Sequence, residues 1–198
     1  MRGRRLRLGM SILAFAALLH AGAAGAATIV IVNNDGLNEG FNDATAAAPV
    51  GGNPGVTRGA QRLFVFQTAA NIWGNILASN VTIQVTSQFN ALSCDATSAV
   101  LGSAGTQQLF RNFPNAEFAG TWYPGALANK QAGSDLDVTM PDISAQFNST
   151  LDAGTCLGGQ TWYYGIDGNE PAGKVELLPV VLHEIGRASC RERVSFLV

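Results

Sequence analysis

Thr57-Arg58-Gly59-Ala60-Gln61-Arg62-Leu63-Phe64-Val65-Phe66-Gln67-Thr68-Ala69-Ala70-Asn71-Ile72-Trp73-Gly74-Asn75-Ile76-Leu77 is the stretch on which the fold turns. Leu63, Phe66, Ala70, Trp73 and Leu77 recur at steps of three and four residues, and Val65, Ala69, Ile72 and Ile76 widen the stripe. This spacing predicts a long helix with one face in the core, capped at its start by the Thr57 hydroxyl. Trp73 is expected to pack in that core. Upstream, Thr28-Ile29-Val30-Ile31-Val32 is an unbroken β-branched run and predicts a buried strand. Downstream, Val81, Ile83 and Val85 alternate with Thr82, Gln84 and Thr86, which predicts a half-buried strand. Strand, long helix, strand opens an α/β (α+β) domain, a twisted mixed sheet packed on a long helix.

The rest of the chain is less uniform. Asn33 to Asp43 is rich in Asn, Asp and Gly and predicts a surface turn. Its carboxylates Asp35, Glu39 and Asp43 lack the spacing of an EF-hand loop, so a solvated turn is expected rather than a calcium site. The Gly/Ser-rich run Leu101-Gly102-Ser103-Ala104-Gly105 predicts a loop, and Phe118 to Tyr123 a strand ended by Pro124-Gly125. Asp142 to Phe147 alternates and predicts a further strand. Leu178, Val181, Leu182 and Ile185 mark the inner face of a last helix, with Pro179 in its first turn. No internal repeat or linker divides the chain. Asn80-Val81-Thr82 and Asn148-Ser149-Thr150 fit the glycosylation triplet, as chance would produce in a chain this rich in Asn, Ser and Thr.

Residues 1–26 have the build of a secretory signal: Arg2, Arg4, Arg5 and Arg7, an apolar core from Met10 to Leu19, and Ala24-Gly25-Ala26 for cleavage. The core is shorter than the roughly 20 residues of a membrane span. A secreted or cell-envelope protein is expected, with no membrane association after cleavage. Residues 27–186 carry five basic and thirteen acidic side chains, a balance of −8, which argues against a nucleic-acid partner. Cys94 and Cys156 then form an even pair in an oxidising compartment and predict one disulfide, worth roughly 4 kcal/mol in the chain-entropy model.

The chemistry concentrates in Val180-Val181-Leu182-His183-Glu184-Ile185-Gly186. It reads as the first half of a His-Glu-x-x-His helix, in which two imidazoles four residues apart grip one metal and the Glu faces the bound water. The position for the second imidazole holds Arg187, a permanent cation with no lone pair. His20 belongs to the signal segment, so His183 is the single histidine of residues 27–198, where a catalytic zinc site takes three protein ligands. A Ser or Cys hydrolase is disfavoured, because no Gly-x-Ser-x-Gly elbow is present.

The ordered segments Val50-Gly51-Gly52-Asn53-Pro54-Gly55, Gln61-Arg62-Leu63, Ala70-Asn71-Ile72-Trp73, Asp142 to Ser149, Trp162-Tyr163-Tyr164-Gly165-Ile166-Asp167-Gly168 and Val180 to Gly186 resemble a group of secreted zinc metallopeptidases. These have a metzincin-type domain, often followed by a protease-associated domain. The resemblance implies a zincin-like N-terminal subdomain over 27–186. His183 would be a zinc ligand, Glu184 the general base, and a protein or peptide the substrate. It also implies a second and a third ligand that this chain lacks, so the fragment is expected to be inactive and to hold no catalytic zinc.

From Arg187 the composition changes, with three arginines among the last twelve residues. The run Glu184 to Val194 resembles the translation of a common short-read sequencing adapter. Residues 187–198 are therefore expected to be a non-native tail. The competing reading is a non-enzymatic exported adhesion or carbohydrate-contacting module. Its low charge and the aromatics Trp122-Tyr123 and Trp162-Tyr163-Tyr164 speak for it.

Overall fold

The computed structural model describes residues 25–189. The signal segment expected over 1–26 therefore lies outside the described residues up to residue 24, as does the expected tail from residue 190 onward.

At the centre is a four-stranded mixed sheet in the order β1–β2–β6–β3. β1 (Ile29–Asn33), β2 (Ile83–Asn90) and β6 (Ile143–Asn148) run parallel, with Ile31 opposite Val85 and Val85 opposite Ile143. β3 (Gly102–Thr106) closes the far edge antiparallel to β6, with Ala104 opposite Ala145. Two further pairs are small: β4 (Leu109–Phe110) with β5 (Tyr123–Pro124), and β7 (Thr161–Tyr163) with β8 (Lys174–Glu176).

The alternation of β2 decides which face is covered. Ile83, Val85, Ser87 and Phe89 are buried, while Gln84, Thr86, Gln88 and Asn90 are partly exposed. On the buried face lie α1 (Arg58–Ile76), which touches β1, and α3 (Leu177–Ala188), which touches α1, β3 and β6. A third helix, α2 (Gly125–Ala132), adjoins the β4–β5 pair. Phe41, Phe66, Phe89 and Phe147 form one aromatic knot, with Phe66 edge-on to Phe41 and to Phe147 at 4.8 Å each.

The helix α1 begins as expected, the Thr57 hydroxyl accepting from the Ala60 N–H at 3.2 Å. Its buried face is rotated from the expected stripe. Arg62, Val65, Phe66, Ala69, Ala70 and Trp73 are buried, whereas Leu63, Ile72 and Ile76 face outward, Ile76 at 65 % exposure. The rotation brings Arg62 inward, where it finds a full set of polar partners described below.

Other expectations are corrected. Residues 102–106 are not a loop but the edge strand β3. Phe118 to Trp122 is not strand, and pairing begins only at Tyr123. β1 is an edge strand with Val30 exposed, so its apolar run is only half buried. The turn at 34–43 is more than solvated: Asp35 accepts from the backbone N–H groups of Phe41 (2.7 Å) and Phe89 (2.8 Å), tying it to β2. The Asn148 triplet cannot be glycosylated in this fold. Its buried side chain accepts from the N–H groups of Leu92 and Thr150 and donates to the Val100 carbonyl.

The expected disulfide is formed: Cys94 and Cys156 are bridged with their Cα atoms 5.8 Å apart. It fastens the segment between β2 and β3 to the turn after β6. A disulfide is compatible with an extracellular protein. Among the described residues no helix is long and apolar enough to cross a membrane.

Candidate functional site

The helix α3 is held by Leu177, Val181 and Ile185, all fully buried. Leu178 and Leu182, expected on the same face, are only partly buried. Gly186 lies against the ring of Trp73, so closely that a Cβ there would be 2.3 Å from Cζ2. This seating turns the intervening residues toward a cleft of about 300 Å³, lined by Leu101, Gly102, Pro179, Val180, His183 and Glu184.

His183 is exposed at the rim of this cleft. Glu184 is 9 % exposed, and its Oε2 is buried with no hydrogen-bond partner. Leaving a buried carboxylate oxygen unpaired costs more than a typical hydrogen bond gains. The nearest cation is Arg187, whose Nε stands 3.9 Å from that oxygen and whose side chain is half exposed. An ion pair so long and so wet contributes little.

The other wall of the cleft is Leu101 and Gly102, where the edge strand β3 begins. Asn148 N–H donates to the Leu101 carbonyl and Gln107 N–H to the Asp142 carbonyl. By the alternation of an antiparallel ladder, Leu101, Ser103, Gly105 and Gln107 then bond toward β6, and Gly102, Ala104 and Thr106 aim their backbone groups outward. Arg187 Nη2 donates to the Ala104 carbonyl at 3.3 Å, as that alternation requires. An unpaired strand edge can accept an extended chain as an added strand. Gly102 is needed there, since a Cβ would come within 2.7 Å of the Phe147 ring.

Zinc does not fit the residues present. His183 is one imidazole, residue 187 is a guanidinium, and among the described residues no group of three His, Cys, Asp or Glu side chains converges. What the cleft can do as it stands is limited: it offers one imidazole, one carboxylate oxygen without a hydrogen bond and the backbone of Gly102.

A second polar centre lies at the other end of α1. Arg62 is 2 % exposed. It donates from Nε to the Tyr164 hydroxyl (3.1 Å), from Nη1 to the Gly40 carbonyl (2.7 Å), and from Nη2 to Asp152. Its guanidinium stacks 4.4 Å from the Phe89 ring centroid. Tyr164 donates to Asp152 at 2.7 Å; burial, with the Asp152 charge beside it, pushes its phenol well above the ordinary range and keeps it a neutral donor. Asn53, fully buried, donates to the carbonyls of Tyr164 (2.7 Å) and Gln61 (2.9 Å). Most segments carrying the metallopeptidase resemblance meet at this hub: 50–55, 61–63, the strand 143–148 leading to Asp152, and 162–168. Trp73 and residues 180–186 meet at the cleft.

The hub is hidden in the sequence because a charged residue reads as surface even beside the apolar run Leu63-Phe64-Val65-Phe66. The available clue is its place three and four residues before Val65 and Phe66, on the buried side. Of the aromatics proposed for surface contact, Tyr123, Trp162, Tyr163 and Tyr164 are buried; Trp122 alone of them is open, 55 % exposed with Arg111 stacked 4.8 Å from its centroid.

No family profile, no curated protein and no solved structure matches this chain.

Proposed function

We propose that the chain is the N-terminal subdomain of an exported zinc endopeptidase and is inactive as it stands. The observation that carries the reading is the joint position of His183 and Glu184. Both line a cleft whose opposite wall is Leu101 and Gly102 at the start of the edge strand β3, and one oxygen of the Glu184 carboxylate is left without a hydrogen bond. Leaving such a group buried lowers stability, which is a reason to look for its use in chemistry. In this reading Glu184 is the general base, His183 one metal ligand, and the outward backbone groups of Gly102 meet an extended peptide beside them. The remaining ligands lie beyond what this chain supplies, so no catalytic step is assigned to it.

The competing reading, a non-enzymatic exported contact module, draws on Trp122 and its stacked Arg111. The test between the two is an independent sequence read of the gene past codon 183. Histidine at position 187 and a further ligand soon after support the peptidase. Arginine at 187 with no histidine beyond it ends that reading. The 198-residue chain itself should show no chelator-sensitive cleavage of casein.

A further inference from the structure

We infer that the apolar pocket between the three helices binds an alkyl carboxylate, a fatty acid with its chain inside and its head at Lys130. The pocket encloses about 400 Å³, within the roughly 300–1,000 Å³ of small-molecule sites. Trp73 and Leu77 from the end of α1, Ile83 from the start of β2, and Ala126 and Leu127 from α2 supply its apolar wall. Ile76, 65 % exposed, and the exposed Lys130 mark its open side. The pocket shares no lining residue with the His183–Glu184 cleft, so it stands whether or not the peptidase reading does.

The lining decides the chemistry of the occupant. Its two hydroxyls are already engaged. Ser79 Oγ donates to the Val81 carbonyl (2.8 Å) and accepts from the Val81 N–H (3.1 Å), and Ser189 Oγ donates to the Ile185 carbonyl (2.7 Å). A peptide here would bury N–H and C=O groups with few partners, a cost that a hydrocarbon chain does not carry. Lys130 is the single ionisable side chain of the lining, and no carboxylate joins it. The other basic side chains of residues 27–186 are engaged: Arg58 with Asp43, Arg62 with Asp152, Arg111 on Trp122 and Lys174 with Thr161. The Lys130 side chain alone among them has no hydrogen bond, ion pair or ring contact with the described residues. In a domain with thirteen acidic and five basic side chains, an acid-free apolar pocket with a spare ammonium at its mouth complements an apolar anion.

The experiment titrates the unaltered 198-residue chain with decanoate by calorimetry, below the concentration at which decanoate aggregates. One decanoate should bind per chain, and affinity should rise by about fourfold per methylene from hexanoate to decanoate. Decyltrimethylammonium, with the same chain and the opposite charge, should bind more weakly. Lys130→Glu should weaken decanoate by about tenfold and reverse the preference between the two heads. Ala126→Phe fills the pocket from a position 4 % exposed and should abolish binding. Ile76→Asp sets a carboxylate at the open side from an exposed position; it should weaken decanoate and serves if Ala126→Phe folds poorly. No binding of decanoate, as when protein rather than lipid fills the pocket, overturns the proposal. So does decanoate affinity unchanged by Lys130→Glu, which would leave that lysine only its place in the last turn of α2, at the carbonyl end of the helix. Equal binding of the two heads, or binding that survives both Ala126→Phe and Ile76→Asp, overturns it as well.

Discussion

At the start of α1, Arg62 is buried with partners for its guanidinium on Tyr164, Asp152 and Gly40, and Asp43 lies 3.6 Å from its Nη1. On α3, Glu184 is buried with one oxygen that has no hydrogen bond and only the half-exposed Arg187 guanidinium 3.9 Å away. Both are ionisable groups removed from water in the same small domain. The difference separates structure from candidate function: a fully paired network specifies how segments meet, whereas an orphaned group in a cleft is a defect unless something is to be bound there.

The sharpest way to break this contrast is Arg62→Met. If the hub is structural, its loss strands Asp152 and Tyr164 and lowers unfolding free energy by roughly 3–5 kcal/mol in a urea titration. A loss below 1 kcal/mol on the same scale would place the hub with the dispensable features. Next in size is Cys94→Ala with Cys156→Ala, which releases the segment leading into β3. Stability should fall by about 2–4 kcal/mol, read from the same titration. Glu184→Met should go the other way and raise stability by about 1 kcal/mol, because an unpaired carboxylate gives way to an apolar side chain of similar reach. A destabilised Glu184→Met would show that the oxygen has a partner after all and remove the ground for calling it functional.

The smallest effect concerns pH. Asp95 is held down to about 2, first by the Thr97 N–H and then by the hydroxyl and N–H of Ser98. A depressed carboxylate contributes stability that is present above its unfolded value of 3.8 and is lost as pH falls through about 2. Asp142 opposes this: burial raises its carboxyl, so protonating it favours the folded state as pH falls. Melting temperature followed from pH 3.8 downward should therefore drop less steeply in Asp95→Asn than in the unaltered chain.

What could be read from the sequence follows from how strongly periodicity marks burial. β2, β6, α1 and α3 each bury one face, and their apolar spacing showed it. β3 did not, because Gly102-Ser103-Ala104-Gly105-Thr106 has no large apolar side chain to alternate with polar ones, and at Gly102 the Phe147 ring leaves no room for one. α2 is short and polar and carries no such pattern. The His183–Glu184 pair was legible as a motif, but the cleft was not, since half of it is the backbone of the strand that the sequence hid. Arg62 was invisible for the opposite reason: charge is read as surface, and here a charge with enough partners became core.

The strand order has a consequence for how this chain reaches its native state. β1, α1 and β2 follow one another along the chain and can assemble early. The partner of β2 on its other side, β6, arrives only after residues 91–142, and β3, made within that interval, has β6 as its sheet neighbour. β3 has no place in the sheet until β6 has docked on β2, so the slow step should be the closure of the long loop that brings β6 in. The cleft wall and the disulfide would then be completed in that same event.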